Sequence, residues 1–410
     1  MMTRQIRNRL LFAMMIVGAL LLPACGGGGG SAGMGSVNVR LTDAPACGYD
    51  HVYVTVDHVA LSSDGNSWTT VPVSPSVTQP IDLLDLTNGV MLTLGQAPLP
   101  AGTYQQVRLV LKANSGSAPF ANSLVLTGSP NQIALDTPSA QQSGYKILGP
   151  ITVQAGTASD LVLDFNACRS IVVAGASGKY LLKPVVRATA QAVSGTISGF
   201  ALPGSQVSAY AEPAGTFITG TVVPAGNPSA RFNLGSILQT SATPGSSVDV
   251  VIVPPPASGQ GSIVIQGIPV TASNTTWISP SDGTSYFNAT PSTVSGINAV
   301  SGTVTVAGLP GAANLVANQT VTGSARTYEM AATTSAPVTG TYSLLLAASG
   351  PWLGTYSGVV TTTPIPLTQD TATTDAGIYS IVASDALSTS APQTANVSAG
   401  PANLNFSLSQ

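Results

Sequence analysis

His51-Val52-Tyr53-Val54-Thr55-Val56-Asp57 alternates apolar and polar residues from end to end. A period of two places Val52, Val54 and Val56 on one face of a β-strand and His51, Tyr53, Thr55 and Asp57 on the other. The apolar face needs a partner sheet, and the flanking sequence offers many. Ser36–Leu41 alternates in the same way, with Val37, Val39 and Leu41 inward. The same reading predicts strands over Ile81–Leu86, Gln105–Lys112, Ser123–Leu126, Ser159–Phe165 and Tyr180–Arg187. Short runs rich in Val, Ile, Thr and Tyr, separated by clusters of Gly, Pro, Asn and Ser, continue to the C-terminus, and helical apolar periodicity is nearly absent. The fold class is all-β, as tandem β-sandwich modules.

Five landmarks in the first part of the chain carry a resemblance. They are Leu41-Thr42-Asp43-Ala44-Pro45, the Val52–Val56 strand, Leu99-Pro100-Ala101-Gly102-Thr103-Tyr104 ahead of Arg108, Leu163-Asp164-Phe165-Asn166-Ala167-Cys168-Arg169-Ser170, and Leu182-Lys183-Pro184. In this order they resemble a family of bacterial lipoprotein domains catalogued as domain of unknown function 4382. The resemblance implies one β domain over residues 36–192 and a place in the cell envelope, and says little about activity.

Beyond Gln191 the composition changes: Arg231 and Arg326 are the only basic residues, and Ser, Thr, Gly, Ala, Val and Pro dominate. A domain boundary is expected near Val193. Val193-Ser194-Gly195-Thr196-Ile197 recurs as Val300-Ser301-Gly302-Thr303-Val304, and Leu202-Pro203-Gly204 recurs at the same offset as Leu309-Pro310-Gly311. Looser matches follow: Ser229-Ala230-Arg231 with Ser324-Ala325-Arg326, Ile268-Pro269-Val270-Thr271 with Ile365-Pro366-Leu367-Thr368, and Asp282–Tyr286 with Asp375–Tyr379. Two β-sandwich repeats are expected, over 193–298 and 299–410. They resemble, loosely, the transthyretin-like or carboxypeptidase-regulatory-like repeats, and fibronectin-like or immunoglobulin-like topology stays open.

The N-terminus supplies the location. Arg4, Arg7 and Arg9 precede an uncharged run over Leu10–Leu22, the layout of an export signal. As a helix the run spans roughly 20 Å, short of a hydrocarbon core of roughly 30 Å. Leu22-Pro23-Ala24-Cys25 resembles the lipobox of bacterial lipoproteins, which implies cleavage after residues 1–24 and lipidation of Cys25. Gly26 after it resembles the class forwarded to the outer membrane. Residues 25–35 are a Gly-rich tether, and the membrane is the partner through the lipid.

With only 7% charged residues and a formal net charge of −3, which loss of the three signal arginines makes more negative, nucleic acid is excluded as a partner. Cys47 and Cys168 are the cysteines left besides Cys25. In an oxidising envelope they are most simply a disulfide, contributing roughly 2 to 4 kcal/mol by constraining the unfolded chain, with two buried free thiols as the alternative.

Catalytic signatures are missing: no Gly-x-Ser-x-Gly outside the Gly-rich tether, no His-Glu-x-x-His, no Walker loop, and no histidine after His58. The chain reads as a non-enzyme. The candidate ligand-binding residues are Asp43, His51, Asp57 and His58, although alternation turns the two histidines to opposite faces. Asp43, Asp50, Asp57, Asp82, Asp85 and Asp164 could offer oxygen to calcium, but without the spaced loop of a recognisable site, so no cofactor is assigned. Trp68, Trp277 and Trp352 are expected as core residues, with Trp352 the most exposed. The function expected is a lipid-anchored envelope protein with a structural, adhesive or surface-display role toward a protein or glycan partner, its repeats extending outward from the first domain. A calcium- or glycan-binding surface module is the alternative.

Overall fold

The computed structural model describes residues 33–409 apart from 45–47, 78, 139–143, 175–177, 226–230, 241–246, 281–295 and 359–363, and only the backbone of Ala44, Leu148 and Cys168. The signal, Cys25 and the tether up to residue 32 therefore lie outside the described residues. So does Cys47, and with it the expected bridge to Cys168.

The first unit contains β1 (Met34–Ala44), β2 (Tyr49–Val54), β3 (Val56–Ser62), β4 (Thr69–Pro72), β5 (Ile81–Asp82), β6 (Leu92–Pro100), β7 (Gly102–Leu111), β8 (Ser123–Leu126), β9 (Gln132–Asp136), β10 (Tyr145–Val153), β11 (Ala158–Asn166), β12 (Ile171–Ala174), β13 (Lys179–Leu182) and β14 (Val186–Ala190). They form three sheets, ordered β14-β11-β1-β6, β10-β7-β3-β4 and β12-β13-β9-β8-β2-β5. The inward residues of the opening alternation, Val52, Val54 and Val56, join Val37, Val39, Leu41, Leu109 and Phe165 in one continuous core. The single α-helical turn among the described residues, Ala167–Ser170, is capped by the Asn166 side chain.

Three strand expectations are corrected. His51–Asp57 is two strands, because the chain passes from one sheet to another at Thr55. That residue is buried rather than outward, its N–H donating to Asn122 Oδ1 (3.1 Å) and its hydroxyl to the Ala121 carbonyl (2.7 Å). Ile81–Leu86 is a two-residue strand followed by a 3-10 turn, Leu83–Leu86, because the Asp82 carboxylate accepts from Leu84 N–H and caps it. Tyr180–Arg187 breaks between β13 and β14 at Pro184, which has no N–H for a ladder.

The second unit contains β15 (Ser194–Phe200), β16 (Gln206–Ala211), β17 (Thr216–Val222), β18 (Arg231–Leu238), β19 (Val248–Val253), β20 (Ile263–Ile268) and β21 (Thr275–Trp277). The third contains β22 (Ile297–Val306), β23 (Leu309–Pro310), β24 (Asn314–Val321), β25 (Arg326–Thr334), β26 (Thr341–Ala347), β27 (Trp352–Thr355), β28 (Thr368–Gln369), β29 (Ile378–Ser384), β30 (Gln393–Asn396), β31 (Ala402–Asn403) and β32 (Phe406–Leu408). One connectivity appears in both. Sheets β18-β15-β21 and β17-β16-β19-β20 correspond, strand for strand, to β26-β22-β31 and β25-β24-β29-β30, including the parallel pairings β15/β21 and β22/β31.

Against this topology the first two sequence matches fall at equivalent places, and two later ones do not. Arg231 opens β18 while Arg326 opens β25, the counterpart of β17. Ile268 ends β20, whereas Thr368 lies in β28, which has no counterpart in the second unit. The Asp282–Tyr286 match lies outside the described residues. Ser-Gly-Thr recurs for a steric reason. A Cβ on Gly195 would run into the Thr271 carbonyl oxygen, and one on Gly302 into that of Leu404, where a later segment crosses the strand.

The third unit also lends a strand. β27 pairs in parallel with β20, Ile263–Gln266 against Trp352–Thr355, and carries β28 with it, so one six-stranded sheet, β17-β16-β19-β20-β27-β28, is built from both units. Among the described residues no helix is long and apolar enough to cross a membrane.

Candidate functional site

The four candidate residues of the first unit do not converge on one site, because they stand on three different sheets, and only Asp57 and His58 meet. Asp43 on β1 is 3% exposed and accepts from the Ala167 N–H (3.0 Å), so it holds the helical turn. His51 on β2 pairs with Asp82 (Nδ1···Oδ2 2.5 Å) and stacks on Tyr53, with ring centroids 5.5 Å apart. Asp82 also accepts from the Val52 N–H. His58 and Asp57 are neighbours on β3 and pair with each other at 2.7 Å. Among the described residues no three His, Cys, Asp or Glu side chains are placed to hold a metal ion.

The tryptophans differ from expectation too, since all three are half-buried. The Arg108 guanidinium lies 3.6 Å from the Trp68 ring centroid, and that of Arg231 4.7 Å from Trp277. Trp352 sits in β27 against the core of the second unit.

Charge is scarce in this chain, and much of it gathers where units meet. Between the first and second units, Arg187 donates to Asp164 (3.2 Å) and to the Ser236 carbonyl (3.1 Å). Burial pushes the Asp164 carboxyl up to about 6 against the lowering pull of Arg187. Alongside, Asn88 donates its N–H to the Thr221 hydroxyl (2.8 Å) and accepts from the Asn233 N–H (2.7 Å). Between the first and third units, Arg169 donates to Glu329 (2.5 Å), its guanidinium 4.1 Å from the ring centroid of Phe217 of the second unit. Lys183 reaches the Ala386 carbonyl at 2.6 Å.

Between the second and third units lies the most buried of these groups. Arg326 on β25 bridges Asp249 (2.9 Å) and Glu212 (3.0 Å), and the Tyr328 hydroxyl donates to the same Asp249 oxygen (2.6 Å). Asp249 is completely buried. Burial raises its carboxyl to about 7, opposed by the Tyr328 hydroxyl and assisted by the nearby Glu212. At Glu212 the cost of burial is outweighed by the Ser247 hydroxyl, the contact to Asp249 and the charge of Arg326, so its carboxyl lies below the ordinary range. Of the two, Glu212 carries the charge and Asp249 holds a proton up to near neutrality. Tyr210, Tyr328 and Val251 belong to the apolar core beside it, Arg326 and Glu212 remain partly exposed, and the group joins the two units.

In the sequence, Asp164 is a possible calcium ligand and Arg169 and Arg326 fall within landmark motifs, and nothing there assigns any of these residues to a junction. A signal existed. Asp249 interrupts the otherwise apolar Val248-Asp249-Val250-Val251-Ile252-Val253, and Glu212 and Glu329 are the only glutamates.

The first and third units also leave an open cleft of about 350 Å³. Its floor is the outer face of the β25-β24-β29 sheet, where Asn314, Val316 and Asn318 stand two residues apart opposite Thr334, Ala332 and Glu329. Tyr49, Arg169 and Val172 of the first unit form the facing wall. Burial pushes the Tyr49 hydroxyl pKa up, so it stays neutral there.

The three-sheet arrangement of the first unit coincides with a sequence family. Residues 34–184 match the family model DUF4382, described as a domain of unknown function. The DUF4382 segment thus ends within the first unit, just before β14. No curated protein sequence matches the chain. Among solved structures, the chain is similar to the Bacillus anthracis TIE protein at 10% identity and TM-score 0.16, over 92% of this chain and 50% of that one, so it spans half the length of that relative. It is also similar to BcpA*(D312A), the major pilin subunit of Bacillus cereus, at 8% identity and TM-score 0.12, over 91% of this chain and 98% of that one.

Proposed function

We propose that the protein is a non-enzymatic structural protein of the cell envelope, held at the outer membrane through a lipid on Cys25 and presenting a rigid β body for display or adhesion. The observation that supports this reading best is the shared sheet, in which β27 of the third unit completes the sheet of the second. A strand exchanged between units, with a buried arginine bridging two carboxylates beside it, resists separation in a way that a tether does not. Such a body suits the transmission of force or the fixed presentation of loops. It departs from a string of repeats reaching outward, because the first unit touches both of the others.

The test compares cells making the full chain with cells making Cys25→Ser. The reading expects the unaltered chain in the membrane fraction and accessible to protease added to intact cells, with cell attachment lost when Cys25→Ser releases the protein. Membrane association that survives Cys25→Ser, or attachment indifferent to it, would contradict the reading.

A further inference from the structure

We infer that the cleft between the first and third units is a binding site for a neutral sugar. Three features of its lining point to that chemistry. First, the Asn318 amide, which makes no hydrogen bond among the described residues, stands directly across the strand pair from Glu329. An amide offers both a donor and an acceptor, and so does each sugar hydroxyl. Second, the charges in the cleft are already matched: Arg169 and Glu329 pair at 2.5 Å, 38% and 24% exposed. A ligand with a net charge would have to break that pair, whereas a hydroxyl can accept from the guanidinium and donate to the carboxylate while the pair stays closed. Third, Val316 and Ala332 face each other between the polar rows, giving an apolar strip of the kind that the C–H face of a sugar ring covers.

The volume of about 350 Å³ lies within the range of small-molecule sites, which favour domain junctions. Three strands of one unit and a wall from another meet at the cleft, so its width depends on the junction holding. This deepens the adhesive form of the reading above by naming a ligand class and a place. It is tested on purified protein, so that its failure leaves the cell-attachment result untouched.

The experiment is saturation-transfer NMR on the lipid-free full chain carrying Cys25→Ser, with a panel of neutral hexoses and N-acetylhexosamines. Sugars at about 10 mM fill most of a site with a Kd of about 1 mM. Gluconate and glucosamine, which carry a net negative and a net positive charge, serve as charged probes. Two variants accompany it: Asn318→Leu, which removes the amide, and Val316→Phe, which fills the floor while leaving every polar group in place. The expected result is transfer to at least one neutral sugar, reduced at least about tenfold in both variants. Absence of transfer to every sugar, transfer unchanged in both variants, or transfer to the charged probes alone would overturn the inference.

Discussion

Asp249 and Asp164 are two buried carboxyls that keep their protons to a higher pH in the folded chain than in the unfolded one, at about 7 and about 6. Burial is the first cause in both cases. A raised folded pKa means that the native state binds the extra proton, so the stability it brings is complete below the unfolded value and is lost as pH rises through the folded one. The thermal midpoint of the lipid-free chain should therefore fall between pH of about 5 and about 8. Asp249→Asn should flatten part of that slope, and a midpoint that climbs over this window would refute the assignment. Arg326 is the reverse case, since removing it leaves the largely buried Glu212 carboxylate without its cation beside Asp249. Arg326→Met should cost about 3 to 5 kcal/mol in denaturant unfolding. A loss below about 1 kcal/mol, the range of an exposed pair, would show that the site opens to water.

At the scale of the element, the recurring Ser-Gly-Thr strand rests on a close crossing. Gly195→Ala and Gly302→Ala each place a methyl group against a backbone oxygen, which no rotamer change relieves. Each should destabilise by roughly 1 to 3 kcal/mol, read as a lower urea midpoint with the slope retained. Gly102, where a Cβ meets nothing within 4 Å, is the control that should tolerate alanine better. This also explains what could be read in advance. Alternation gave the opening strands because Val52, Val54 and Val56 answer to one core whichever sheet they join. The sheet change at Thr55 was hidden because the partners that pay for burying Thr55, Ala121 and Asn122, lie more than sixty residues away. Ile81–Leu86 misled because its period fits a strand as well as a turn, and the Asp82 cap decides between them. The looser repeat matches failed for a different reason. Arg231 and Arg326 share a Ser-Ala-Arg sequence but stand on strands with different partners, so composition alone aligned them.

At the scale of the whole molecule, contacts at every junction hold the three units as one body. The sequence could supply the units, since each has its own core pattern. It could not supply their arrangement, which depends on a few charges, Arg169, Glu329, Arg326 and Asp249, whose partners are 77 to 160 residues distant. The candidate site was illegible for the same reason, because its walls come from both ends of the chain. The most direct test is small-angle X-ray scattering of the lipid-free full chain. A compact body of about 400 residues has a radius of gyration of about 21 Å, while three separate units strung on tethers give about 30 Å or more. The locked arrangement predicts a value close to the lower figure. A value near the upper one would contradict it, and with it the junctions on which the candidate site depends.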